Sequence, residues 1–411
     1  MSNSQIHTSI LPSGATFLFE SMPAYHTATI VIRIMGGVSS EAADQGGSSH
    51  LIEQCLDKGT AELDARQIAD QFDTLGSQYS VIVGRESWTT IASCLPEHVV
   101  DTTRKVFDLL LGATFPANYV NVSKSLAVQA LASMQDPPGS LLRRAMMQQA
   151  YGTPLGRHTL ATPEALATHD NGSLREQWSS VMANPTIEIA AAGPVDQAHL
   201  TEVLNNALGG VPCSDKTITH TVNFAAGNTH IEKDIAQTHI GLSFLGVPQS
   251  NKYATAEDLC ISILSGGMSA RLFTEVREKL GLVYSVGASN ERPRGAGMIH
   301  VTAATTPERC AQTYEVLLRE LSRLKEDVTE AELSLAKTRA ISGYATSGAS
   351  VQSRACELLA DYFHKKEALP IEAHIERIQA VTLSDIKTYL DSQDLSKVSI
   401  VTLGKEQPTL S

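Results

Sequence analysis

Three neighbouring side chains, His50, Glu53 and Gln54, stand at positions i, i+3 and i+4 of residues 48–56. This run reads as the start of a helix with a serine at or near its cap. On a helix those positions share one face, so the three side chains should project together. Their types make up part of a hydrolytic metal site. In His-x-x-Glu-His, two imidazoles bind Zn²⁺ and the intervening glutamate acts as general base on the metal-bound water. Here glutamine stands at the last position, which leaves one imidazole of the pair. A lone His-x-x-Glu is also an ordinary helix face, and its surroundings decide the reading.

Those surroundings are duplicated. Leu75-Gly76-Ser77-Gln78-Tyr79-Ser80-Val81 recurs as Leu280-Gly281-Leu282-Val283-Tyr284-Ser285-Val286, an offset of 280 − 75 = 205 positions. Each copy follows a helix-like stretch (65–74 and 269–279) and precedes a strand-like one. A Pro-Glu pair, Pro96-Glu97 or Pro307-Glu308, then opens another helix-like run. Upstream lie the strand patterns 28–35 and 239–245. The offset is far too long for a solenoid repeat, so the pattern predicts an α+β fold class with two homologous domains. Leu208-Gly209-Gly210-Val211-Pro212 punctuates the chain near its midpoint. The expected division is therefore 1–207, a linker at 208–216, and 217–411.

Composition narrows the function classes. With 411 residues, 42% of them apolar and 18% charged, the chain can bury a large core and is not a disordered polymer. A formal charge of −12 with no basic cluster argues against a nucleic-acid or anionic-lipid surface. There is no apolar run long enough to span a bilayer, and the start of the chain lacks the basic-apolar-small pattern of an export signal. The six cysteines, Cys55, Cys94, Cys213, Cys260, Cys310 and Cys356, form no Cys-x-x-Cys pair and read as reduced thiols. The expectation is a cytoplasmic protein with no nucleic-acid or membrane partner.

Several motifs together carry a family resemblance. They are Gly36-Gly37-Val38-Ser39-Ser40-Glu41, the run from Gly46 through His50 and Glu53 to Lys58-Gly59-Thr60, Asp136-Pro137-Pro138, and Pro154-Leu155-Gly156-Arg157. In the second half Gly266-Gly267-Met268-Ser269-Ala270-Arg271-Leu272-Phe273 and Val276-Arg277-Glu278-Lys279 join them. Over residues 30–321 the chain resembles the insulinase/pitrilysin family of inverted-zincin metallopeptidases. Within that family it is similar to the zinc-less subunit of short bacterial heterodimeric members, akin to the mitochondrial processing peptidase alpha subunit. The resemblance implies two domains, each a mostly antiparallel sheet packed by helices, forming half of a clam-like chamber.

It also implies a third zinc ligand, a glutamate on a later helix, where this chain has residues 127–132 with Gln129 at the ligand position. No Asp or Glu occurs between Asp108 and Asp136, so no shift of register restores the acid. An amide oxygen is a poor zinc donor beside imidazole or carboxylate. His50, Gln54 and Gln129 are thus degenerate metal positions, Glu53 is a relic general base, and no cofactor is expected in this chain. The family's second functional pair, an arginine and a tyrosine seven residues apart, is matched by Arg277 and Tyr284. A guanidinium suits peptide carbonyls and a phenol can donate to a developing oxyanion. The implied role is a subunit inactive alone that lends substrate-binding groups to a homologous zinc-bearing partner acting on peptides. Two other readings stand beside it: an active zinc endopeptidase with an atypical site, and a purely structural scaffold subunit.

Overall fold

The computed structural model describes residues 6–134, 136–216 and 218–409. The chain begins with β1 (Ile6–Ile10), β2 (Thr16–Ser21), β3 (Ala28–Met35), α1 (Ser48–Cys55), α2 (Ala65–Thr74), β4 (Gln78–Val83) and β5 (Ser87–Cys94). It continues through α3 (Val99–Gly112), α4 (Ala117–Ser133), α5 (Pro138–Tyr151), α6 (Pro163–Ala167), α7 (Asn171–Ala183), β6 (Ile187–Gly193) and α8 (Gln197–Ala207). Then come β7 (Gly227–Glu232), β8 (Thr238–Gly246), α9 (Ala254–Ser265), a π-helical turn (Phe273–Lys279), β9 (Val283–Glu291) and β10 (Gly297–Thr305). Helices α10 (Cys310–Asp327), α11 (Glu330–Ser347), α12 (Val351–Lys365), α13 (Ile371–Ala380) and α14 (Leu383–Asp391) precede β11 (Ser399–Gly404). Among the described residues no helix is long and apolar enough to cross a membrane.

The duplication read from the sequence appears as two sheets of matching topology. The first runs β1-β2-β6-β3-β5-β4 and the second β7-β11-β8-β10-β9. In each, one parallel pair (β2 with β6, β7 with β11) adjoins an antiparallel set. Among the described residues, strand β1 is the only addition in the first sheet. Burial follows position. Central β3 is apolar and buried almost throughout, whereas edge strand β4 alternates exposed and half-buried side chains, as a strand covered on one face must. Both repeat glycines, Gly76 and Gly281, close their helical segment at φ +58°, a left-handed conformation that glycine adopts without strain.

Contacts divide the chain into two compact units, and the division is not contiguous. Unit 1 comprises the described residues up to Ser133 together with Arg157–Ile218 and Ser347–Pro370. Unit 2 comprises Met134–Gly156, Thr219–Thr346 and the described residues from Ile371 on. The change of unit at Ile218 falls just past the linker expected at 208–216, but a segment of each half belongs to the other unit. Helix α12 covers the first sheet, its Val351, Ala355, Leu358 and Leu359 packing on Leu18, Val31, Ala190 and Ala192. Helix α5 covers the second, its Leu142, Met146 and Ala150 packing with Met298, Val401 and Leu403. Apolar faces fix a helix to whichever sheet they fit, and sequence order does not specify which sheet that is.

Arg354 of α12 anchors this arrangement within unit 1. Its guanidinium is fully buried and donates to Glu20 of β2 through Nε at 2.9 Å and Nη2 at 2.6 Å. It also donates to Glu357 and to the Leu369 carbonyl. A buried charge tolerates its desolvation only when paired and hydrogen-bonded in this way.

Candidate functional site

The start of α1 is held by a carboxylate seven residues upstream. Glu41, buried, accepts from the backbone N–H of Ser49 at 2.8 Å, that of Gly47 at 3.1 Å and the hydroxyl of Ser48 at 3.4 Å. The two N–H groups are of the kind that a helix leaves unsatisfied at its N-terminus. Burial pushes the Glu41 carboxyl above its ordinary pKa, opposed by the bonds from Ser49, Gly47 and Ser48. Arg157 of the Pro-Leu-Gly-Arg motif donates to the Glu41 carbonyl. Gly47 sits at φ +82° with no room for a Cβ, which would lie 2.8 Å from Leu166. The serine expected at or near the cap stands next to it: Gly47 is the N-cap residue, Ser48 opens the helix, and Glu41 supplies the capping acceptor. The motifs that carry the family resemblance here are the scaffold of the helix.

On that scaffold the degenerate positions are placed as follows. His50 Nδ1 lies 3.3 Å from Glu53 Oε2, while Glu53 Oε1 accepts from the Val83 N–H at 3.0 Å. Both oxygens of the Glu53 carboxylate thus have neighbours within unit 1, and one of them ties α1 to the end of edge strand β4. Gln54 and Gln129 are both exposed. Helix α1 packs on α4 through a contact of Cys55 Sγ with Ser123 Oγ at 3.3 Å. Among the described residues no group of three or more His, Cys, Asp or Glu side chains is gathered as a metal ion would need. One imidazole facing a carboxylate, with neutral amides beyond it, does not fit Zn²⁺.

The repeat supplies a second site in unit 2. Tyr79 and Tyr284 are equivalent by the offset 284 − 79 = 205, yet their settings differ. Tyr79 donates to Asp57 Oδ2 at 2.8 Å, its ring lies 4.1 Å from that of Phe72, and burial followed by the Asp57 charge pushes its phenol well up. Tyr284 stands on edge strand β9 with 73% of its surface exposed. At the place of Phe72 the second copy carries Arg277 (277 − 72 = 205). The Arg277 Cζ lies 4.8 Å from the centroid of Phe273 and 6.0 Å from that of Tyr284. Arg277 is exposed and makes no hydrogen bond or ion pair with any described residue, so its N–H donors are open to solvent.

The sequence reading brought Arg277 and Tyr284 together, and the structure places both on one face of unit 2. It did not single out two residues that shape the sites. Glu41 lay inside a quoted motif, but its reach to the α1 N-terminus depends on the loop path. Phe273 lay inside another, where an aromatic before Arg277 was the available signal. Arg271, in the same motif, serves a different end. It is bound to Glu332 at 2.6 and 2.8 Å and to Asp327 at 2.5 Å, which fixes the segment before the π-turn to the start of α11.

A family model described as Insulinase (Peptidase family M16) matches residues 16–163, and one described as Peptidase M16 inactive domain matches residues 170–340. An uncharacterized zinc protease of Rickettsia felis is 27% identical over 92% of this chain and 92% of its own length. Another from Bacillus subtilis is 27% identical over 79% of this chain and 80% of its own. Among solved structures, a peptidase M16 inactive domain from Pseudomonas fluorescens has a TM-score of 0.89 at 22% identity, covering 99% of this chain and all (100%) of that one. A protease from Helicobacter pylori has a TM-score of 0.85 at 14% identity, covering 98% and 99%. The two structural likenesses establish the α+β fold, and the two family matches, which together take in most of the sequence, establish descent: the chain belongs to the insulinase family of peptidases, M16.

Proposed function

We propose that this chain is the non-catalytic subunit of a heterodimeric zinc peptidase. A homologous partner with intact His-x-x-Glu-His and its downstream glutamate would hold the metal and the general base. This chain would complete a chamber and present Arg277 and Tyr284 to the peptide bound there. One observation carries the reading: the positions of the zinc site hold amides and a tethered carboxylate, while the Arg277–Tyr284 pair is exposed and makes no hydrogen bond or ion pair with a described residue. In the complex, Arg277 would donate in-plane N–H groups to substrate carbonyls, and the Tyr284 hydroxyl would donate to the oxyanion as the tetrahedral intermediate forms. The acidic balance of the chain favours soluble peptide substrates over nucleic acid or membrane, and a cytoplasmic setting suits its six unpaired thiols.

The test is reconstitution. The purified chain alone should contain no stoichiometric zinc and cleave no peptide. Mixed with a family member of similar length that carries the intact motif, it should co-purify and yield chelator-sensitive cleavage. Stoichiometric zinc and peptide hydrolysis by the single chain would establish the active-enzyme reading instead. A complex whose activity ignores both Arg277→Ala and Tyr284→Phe would establish the scaffold reading.

A further inference from the structure

We infer that Phe273 is a positioning residue for the Arg277–Tyr284 pair, acting through the π-helical turn on which it lies. The inference rests on the reading above, in which that pair meets substrate. In the first half the helix before the repeated segment is a plain α-helix, α2, and the residue facing the tyrosine is Phe72, a buried aromatic. In the second half the equivalent segment, Phe273–Lys279, is wound as a π-turn, its last bond running from the Leu280 N–H to the Glu275 carbonyl at 3.3 Å. Such turns widen the spiral by about one residue per turn and concentrate at functional sites.

In this turn the location of Phe72 is held by a cation in place of an aromatic ring. Arg277 Cζ lies over Phe273 four residues earlier and over Tyr284 seven residues later. A guanidinium over an aromatic ring is attracted by the ring quadrupole, more so as water is excluded. Two rings restrict a long side chain that otherwise samples many rotamers, and they compete for none of its N–H donors, which a carboxylate partner would occupy. Lys279, the other cation of the turn's end, is paired with Glu275 at 2.7 Å and does not share this arrangement. Phe273 itself is half-buried, so its ring is part of the surface against which the guanidinium rests. Phe273 thus lowers the ordering cost of Arg277 on binding without touching the ligand.

The experiment compares Phe273→Met, which keeps an apolar side chain of similar volume but removes the ring, with Phe273→Tyr, which restores it. In the free full-length chain, the ring-current displacement of the Arg277 side-chain resonances should collapse in Phe273→Met and return in Phe273→Tyr. In the reconstituted complex, Phe273→Met should raise KM for a peptide substrate about two- to fivefold, with Phe273→Tyr close to the parent. Unchanged Arg277 resonances in Phe273→Met, or a KM as altered in Phe273→Tyr as in Phe273→Met, would overturn the inference. Failure of the functional reading is separable, because it would appear as an Arg277→Ala complex of unchanged activity while the resonance shifts in the free chain still report on the Phe273 contact.

Discussion

Tyr79 and Tyr284 occupy the same point of a duplicated segment, and one is bound to Asp57 while the other stands in solvent beside Arg277. The first copy has turned the position into packing, and the second presents it. Because both Tyr284 and Arg277 are exposed, replacing them should leave the stability of the isolated chain within about 0.5 kcal/mol of the parent. In the reconstituted complex, Tyr284→Phe should lower kcat about 10²-fold, the usual effect of removing one oxyanion donor. Melting curves of the free chain and steady-state kinetics of the complex check the two halves of this prediction.

Glu53 should show the opposite behaviour. Its Oε1 satisfies the Val83 N–H at 3.0 Å, so Glu53→Ala should destabilise the chain by about 1–2 kcal/mol in urea unfolding. At temperatures where the variant is folded, the activity of the complex should not change. A loss of turnover with unaltered stability would mean that Glu53 still takes part in chemistry.

The buried Arg354–Glu20 pair makes a sharper demand. Arg354→Met leaves the Glu20 carboxylate buried without its partner and should cost about 3–5 kcal/mol. Adding Glu20→Gln should recover a substantial part of that loss. A double-mutant cycle by chemical denaturation reads the coupling directly.

Acid sensitivity should concentrate at Arg271. Hydrogen bonds from its guanidinium hold the carboxyls of Glu332 and Asp327 below their ordinary values of 4.5 and 3.8. The unfolded chain therefore binds more protons than the folded one in that window. The stabilisation is complete above the unfolded values and is lost as pH falls through the lower folded ones. Unfolding midpoints measured between about pH 6 and pH 3 should decline less steeply in Arg271→Met than in the parent.

Much of this was legible in the sequence, and the illegible part has physical causes. Local patterns gave β3, α2, the Pro-Glu helix starts and the repeat, because each is written in adjacent residues. The loss of the zinc ligands was equally local, at Gln54 and in the acid-free run around Gln129. The part Glu41 plays at the start of α1 is not legible, because Glu41 reaches it across a loop whose path no periodicity encodes. The π-turn at Phe273–Lys279 has the composition of an ordinary helix, and only its hydrogen bonds distinguish it. The partners of Glu53 and Arg354 are long-range, and pattern reading stops short of them.

The placement of α5 and α12 decides whether either half of the sequence can stand alone. They follow corresponding helices in their halves, α4 and α11, and each covers the sheet built from the other half of the sequence. A duplication of a self-contained domain would leave each helix on its own sheet. Here each unit contains sequence from both halves, so a cut at the Gly209-Gly210 linker would give two fragments that each lack the helix covering their own sheet.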